Sequence, residues 1–469
     1  MAIANRTLFV ALMLIFCTCT LLASWYQDFF FLLIPFSLLF IFWLLKRPEY
    51  LFYTLIVSIP WSVEYNLTPE LGTDLPDEPL MWLTAFVVMI FIASRHMHRG
   101  LQKWHPLLYI VLLQFLWLVI TVITSSDFIL SFKFLLAKSW YLLAFIGAPL
   151  FLFNDQRILK RSALLLLCSM MVFMLVTIFR HALKGMSFEE VNDALLPFYR
   201  NHVNYSAILV FMIPVQVAVI RLTKSGSLKY FMTCMLIITI GALYFSYARG
   251  AWLAMLTGLI AFWLVRKGLL LFTFFLFVFI CLASVFCISK NDRYLKFSND
   301  KNTIFHTNFR EHLIATYRLK DMSNGERIYR WVAGIKMSGD NWMTGFGPST
   351  FYYHYKEYTV PSFRTYVSRN EERSTVHNYF LLVLIEQGVL GLLFFIALLA
   401  TAFACIQRIY LRTIDPFWKI TMASVASILV MECTVNFLSD MIETDKVGSV
   451  FLMCIAVVIV GDRDVKRET

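Results

Sequence analysis

LLYIVLLQFLWLVITVIT, Leu107 to Thr124, runs for 18 residues without a charge. A helix needs about 20 mostly apolar residues to cross roughly 30 Å of hydrocarbon, so this stretch reads as a membrane span. Lys103 precedes it and Asp127 follows it, leaving both ends in polar surroundings. The pattern recurs along the chain, at about 7–24, 29–45, 50–61, 79–94, 107–124, 128–153, 162–180, 203–220, 230–247, 250–265, 268–288, 378–404, 417–438 and 447–461. The third run is short. The expected fold is an all-α polytopic membrane protein with about 12–14 transmembrane helices.

Composition agrees. Of 469 residues, 59% are hydrophobic and 15% charged. Soluble proteins carry roughly 25% charged residues, and a soluble fold could not hide so much apolar surface. The nine cysteines fall in or beside apolar runs and read as small buried hydrophobes, including the Cys17/Cys19 pair. No convincing cleavage site follows the first run, which is expected to be an uncleaved first span.

The net charge of +11 is unevenly placed. With the N-terminus inside, the inner loops receive Lys46 and Arg47, Arg95, Arg99 and Lys103, Arg157, Lys160 and Arg161, Arg221, Lys224 and Lys229, Arg266 and Lys267, and Arg408 and Arg412. The tail adds Arg463, Lys466 and Arg467. The outer segment 62–78 instead carries Glu64, Glu70, Asp74, Asp77 and Glu78 with no Lys or Arg. This positive-inside bias places both termini in the cytoplasm. Parity then puts the long hydrophilic stretch, about 289–376, outside. Its 14 Lys and Arg against 9 Asp and Glu leave +5, which long loops tolerate. The expected organisation is a helical bundle at 1–288, a loop domain at 289–376, and closing helices with a tail at 377–469.

Three polar features converge on the outer face. Ser246-Tyr247-Ala248-Arg249-Gly250-Ala251-Trp252 forms a tight hairpin between spans, where Arg249 is an interfacial anchor or an anion ligand. Gly325-Glu326-Arg327-Ile328-Tyr329-Arg330-Trp331 fits a helix with Arg327 and Trp331 on one face. Gly345-Phe346-Gly347-Pro348 follows, suited to a turn that brings backbone close to a ligand or another segment. Thr375-Val376-His377-Asn378 opens the next span. His377 either caps that helix or takes a proton near neutral pH. Glu386, inside the apolar run, needs a partner and reads as structural or site-supporting. Lys133 and Lys138, within a span, face a cavity or a partner and could hold an anionic head group. His96 and His98 sit in a basic inner loop, and Asp462-Arg463-Asp464 on the tail reads as solvated surface. No Walker A loop, HExxH or GxSxG occurs, which argues against ATPase, zinc protease and serine hydrolase chemistry.

In this order, the features resemble the O-antigen ligase and polymerase superfamily of bacterial envelope enzymes. The pattern is an outer-hairpin arginine, an R-x-x-x-W helix (Arg327 to Trp331) and a G-x-G-P turn. An H-N pair then opens a helix with E-x-G-x-x-G (Glu386, Gly388, Gly391). The likeness covers roughly 200–400 well. It implies a metal-independent GT-C-type glycosyltransferase without cofactor. Such an enzyme moves a glycan from undecaprenyl diphosphate to a lipid A-core sugar at the periplasmic face of the bacterial inner membrane. It would meet membrane lipids and no nucleic acid. Carried onto this chain, His377, Arg249 and Arg327 match the essential residues. Arg330, Asn378, Lys133, Lys138, Trp331 and Gly347 are expected to line the substrates. Rival readings are a polymerase using a second lipid-linked repeat, a protein O-glycosylating ligase, a transporter or flippase, and a metal-dependent oligosaccharyltransferase working through the acidic 62–78 segment.

Overall fold

The computed structural model describes residues 47–68, 71–94, 105–289, 322–359 and 375–468, with Met13 and residues 18–20. The expected spans at 7–24 and 29–45 fall almost wholly outside these residues, as do His96 and His98. The described chain begins with α1 (Pro48–Ser58), a hairpin of β1 (Val63–Thr68) and β2 (Leu71–Leu75), and α2 (Asp77–Ala93). Then come α3 (Pro106–Ile123), α4 (Phe128–Leu152), α5 (Gln156–Leu183), the short α6 (Val191–Leu195), α7 (His202–Leu222) and α8 (Gly226–Phe245). After α9 (Arg249–Lys267) and α10 (Leu270–Ser289), the long loop contributes α11 (Met322–Asp340) and α12 (Phe351–Tyr355). The chain closes with α13 (Tyr379–Arg412), α14 (Pro416–Leu438) and α15 (Asp445–Glu468).

The fold is an all-α polytopic membrane protein. Among the described residues, eight helices are long and apolar enough to cross a membrane: α3, α4, α5, α7, α8, α9, α13 and α14. The short expected run at 50–61 becomes the 11-residue α1, and the run at 79–94 becomes the 17-residue α2.

Small residues set the closest packing. Ala251, Ala254, Gly258, Ala261 and Val265 recur every three or four residues along α9 and are its buried face. A Cβ on Gly258 would lie 2.1 Å from Met431 Cε of α14, so a larger residue there would have to push that side chain aside. Thr257 and Thr434 hydroxyls meet across the contact at 2.8 Å, and Ser427 Oγ donates to the Gly258 carbonyl. In lipid, where apolar side chains gain little by leaving the solvent, such close backbone contact and interhelical hydrogen bonds carry association.

The bundle has two unlike ends. One carries the ends of α7, α9 and α13 with Arg221, Arg266, Lys267 and Arg412. There Asp462 is buried, a correction to its expected solvated place on the tail. Its carboxylate meets Arg408 Nη2 at 2.8 Å, Lys466 Nζ at 2.6 Å and His105 Nε2 at 3.2 Å. Three cationic or polar partners from three elements make burial of one carboxylate affordable, and they bind the end of α15 to α13 and the start of α3. The other end holds the site.

Candidate active site

The site is built on a broken helix. Gly388 interrupts α13 with φ 69° and ψ −173°, a region essentially confined to glycine. Breaking the helix frees backbone groups that must find partners, and the long loop supplies them. Phe346 N donates to Ile385 O at 2.9 Å, Gly347 N to Glu386 O at 3.0 Å, and Val389 N to Trp342 O at 2.9 Å. The opposite face of this loop docks on the α3–α4 turn, where Ser126 N donates to Phe346 O at 2.9 Å and Ser131 Oγ to Pro348 O at 2.7 Å. Gly345 and Gly347 have φ of 72° and 104°, and a Cβ on either would strike Glu386 backbone or Ser125. The glycine motifs therefore fit two segments of this chain to each other. Glu386 is buried and accepts from Phe351 N at 3.2 Å, capping the start of α12. Glu386 thus has the partner that its place inside an apolar run requires.

Above the break, the histidine stands just before the first turn of α13. Tyr379 N donates to Ser439 O at 2.9 Å, so the helix start is pinned to the end of α14. Asn378 is the N-cap, its side-chain oxygen accepting from Leu381 N at 3.0 Å. His377 precedes it with φ 53°, a left-handed backbone that histidine tolerates better than branched residues. Its Nδ1 lies 3.9 Å from Asp440 Oδ1 and its side chain is 34% exposed, open on one side. Thr375 knits the surroundings together. Its carbonyl accepts from Arg330 Nη1 at 2.8 Å, its hydroxyl accepts from His377 N at 3.4 Å, and that hydroxyl also bonds to Asp440.

Charge follows from this packing. Arg330 is 2% exposed, lies 3.9 Å from Glu326 one turn earlier, and faces the Tyr355 ring at 5.9 Å. Desolvation, then the positive charges of Arg330 and Arg327, lower His377 to about 3. Burial raises the neighbouring Asp440 carboxyl above its ordinary range. His377 is thus neutral at physiological pH, with a free lone pair for a proton. As pH falls below 6.5, the unfolded chain binds that proton first, so this group's contribution to stability declines toward acid.

A chemical consequence can be measured. Any reaction using unprotonated His377 as a base should keep its rate well below pH 6 and lose it only toward pH 3. Arg330→Gln removes one positive neighbour and should move the acid limb of kcat/KM upward. An unmoved limb in the variant would contradict control of His377 by Arg330.

The connector 440–444 between α14 and α15, with the first two residues of α15, was not legible as part of the site. Asp440 faces His377, while Glu443 accepts from both Lys138 Nζ, at 3.1 and 3.2 Å, and Tyr379 OH, at 2.6 Å. Its signal was present as four charged residues in seven positions at a span boundary: Asp440, Glu443, Asp445 and Lys446. Lys138 therefore has the partner expected of an intramembrane lysine. Lys133, five residues earlier and so on another face, is exposed and does not join the group. Beside Lys138 and Glu443 lies an apolar cavity of about 110 Å³, lined by Phe115, Phe134, Phe395 and Phe451 and roofed by Tyr379 and Gln387.

Two more expected residues sit close by. Trp331 packs edge-on against Phe437, ring centroids 5.5 Å apart, near the end of α14. Arg249 is the first residue of α9, following Tyr247, whose φ of 56° makes the hairpin tight. A Cβ on the adjacent Gly250 would lie 3.4 Å from Leu438, two residues before Asp440, so Arg249 belongs to this end of the bundle. Among the described residues, no group of three or more His, Cys, Asp or Glu is arranged to hold a metal ion.

Residues 234–396 match the family described as O-antigen ligase. This stretch carries that family's domain. The match runs from α8 through the Gly388 break, enclosing Arg249, Arg327, Arg330 and His377. The resemblance read from the ordered motifs and the family match thus meet on the same residues. No curated protein is similar enough to count as a relative.

Proposed function

We propose that this protein transfers a glycan from undecaprenyl diphosphate to a sugar hydroxyl of the lipid A core, at the periplasmic face of the bacterial inner membrane. The observation that carries the reading is a neutral, half-open His377 beside Asp440 and the positive charges of Arg327 and Arg330. In this reading His377 takes the acceptor's proton. The hydroxyl oxygen then bonds to the anomeric carbon as the bond to the diphosphate oxygen breaks. A diphosphate is a competent leaving group, so catalysis chiefly demands orientation of two lipid-linked substrates and stabilisation of departing charge.

Arg249 and Arg327 are the residues proposed to hold the diphosphate, since guanidinium forks bind phosphate oxygens in pairs and stay charged. Arg330, buried against Thr375 and Glu326, serves them through its charge on His377. The basic residues gathered at the Asp462 end support an orientation with that end in the cytoplasm. The proposed division remains a bundle at 1–288, a periplasmic loop domain at 289–376, and closing helices at 377–469.

Arg249→Lys separates paired phosphate binding from charge alone. Measured on purified protein with a lipid-diphosphate glycan donor, the variant should lose at least about tenfold in kcat/KM, about the worth of one charge-assisted hydrogen bond. Full activity in Arg249→Lys would remove that role.

A further inference from the structure

At the base of the β1–β2 hairpin, away from His377, a carboxyl group is enclosed without a donor. Asp77, two residues ahead of the apolar run at 79–94, is 0% exposed, and among the described residues neither oxygen has a donor facing it. Its neighbour within hydrogen-bonding reach is another carboxyl, Asp445, the first residue of α15. Asp445 also accepts from Ser62 Oγ at 2.7 Å. Ionised carboxylates only accept hydrogen bonds, so two in contact need a proton between them.

The surroundings supply one cation for the two carboxyls. Lys446 Nζ stands 3.9 Å from Asp445 and is engaged by the carbonyls of Ser62 at 3.0 Å and Phe198 at 2.8 Å. Arg200 is paired with Glu64 of β1, and Glu78 of α2 accepts from Thr73 Oγ1 and Asp74 N of β2. Tyr141 of α4 and Tyr199 complete the group. The balance is acidic enough that burial, then Asp445, pushes Asp74 up to about 6.

We propose that Asp77 and Asp445 hold one proton between them, and that this proton clamps the entrance of α2 to the start of α15. The ligand is a proton rather than a metal ion, because the carboxylates here lack the convergence that a cation requires among the described residues. Losing the proton leaves two negative charges in contact away from water, which drives the two helix starts apart. Burial, followed by Asp445, pushes Asp77 up to about 9. An acid raised in the folded state contributes its full stability below the ordinary value of 3.8, and that contribution falls steadily as pH rises toward about 9, where the folded chain also gives up the proton. The clamp holds the connector that carries Asp440 and Glu443, so it also fixes the wall of the His377 site.

The test is the thermal midpoint of the full chain in lipid nanodiscs from pH 7 to 10. The wild type should lose stability steadily between pH 7 and about 9 and level off above it, by about 1–2 °C for each tenfold change in folding equilibrium in a chain of this length. Asp77→Asn keeps the shape, gives Asp445 an amide donor, and should flatten the dependence. Infrared difference spectra, wild type minus Asp77→Asn, should show a neutral carboxylic acid C=O band at pH 7 that vanishes above pH 9. If Asp77→Asn does not accumulate, Asp445→Asn and the pH titration of the wild-type band carry the same expectations. Equal slopes in wild type and variant, or no neutral-acid band, would overturn the proposal. So would stabilisation of the wild type, but not the variant, by sodium or calcium chloride at pH 7.

Discussion

Replacing His377 by alanine should lower glycan transfer by about 10²–10⁴-fold, the usual worth of a positioned general base, while leaving the protein inserted and folded. The backbone around it is held by other groups. Asn378 caps α13, Tyr379 N reaches Ser439 O, and Arg330 holds Thr375 O. Among the described residues, the side chain itself makes only the 3.9 Å approach to Asp440. The thermal midpoint should therefore move little, and donor binding through the arginines should persist. Retained transfer in His377→Ala would remove the base assignment. An unfolded variant would show instead that the ring supports the loop.

The second large effect is structural. Gly388→Ala should release the long loop from α13. A left-handed, fully extended position costs a residue with a Cβ about 1–3 kcal/mol on the backbone alone. Here the added carbon would also stand 2.0 Å from Met343 O. The conflict is with backbone on both sides, so no side-chain rotation relieves it. The three loop-to-helix hydrogen bonds through Ile385 O, Glu386 O and Trp342 O should be lost together. The reading is limited proteolysis within 342–347 and a lowered thermal midpoint, with activity falling alongside because His377 sits on the same helix start. Unchanged protection of 342–347 in Gly388→Ala would refute the docking role of the break.

What was legible in the sequence follows from the range of the interactions. Apolar runs declare spans because each satisfies its own backbone, and among the described residues eight of them reappear as helices long enough to cross. Arg327, Trp331 and His377 were legible because they mark helix faces and helix starts. Their field on one another was not: Arg330 reaches Thr375 across 45 positions. Asp440 and Glu443 escaped notice because their partners lie 63 to 305 residues away. Asp462 was misread for the same reason, with His105 357 positions distant. The glycine motifs signalled a close approach correctly, although only the structure shows that the approaching group is the chain's own loop.

The most direct measurement is glycan transfer by the purified protein in nanodiscs, supplied with undecaprenyl-diphosphate glycan and offered either lipid A core or more donor as acceptor. The account predicts glycan attached to the core lipid by wild type, and little or none by His377→Ala. Glycan extended on the lipid carrier with the core lipid untouched, or equal transfer by the two proteins, would contradict it.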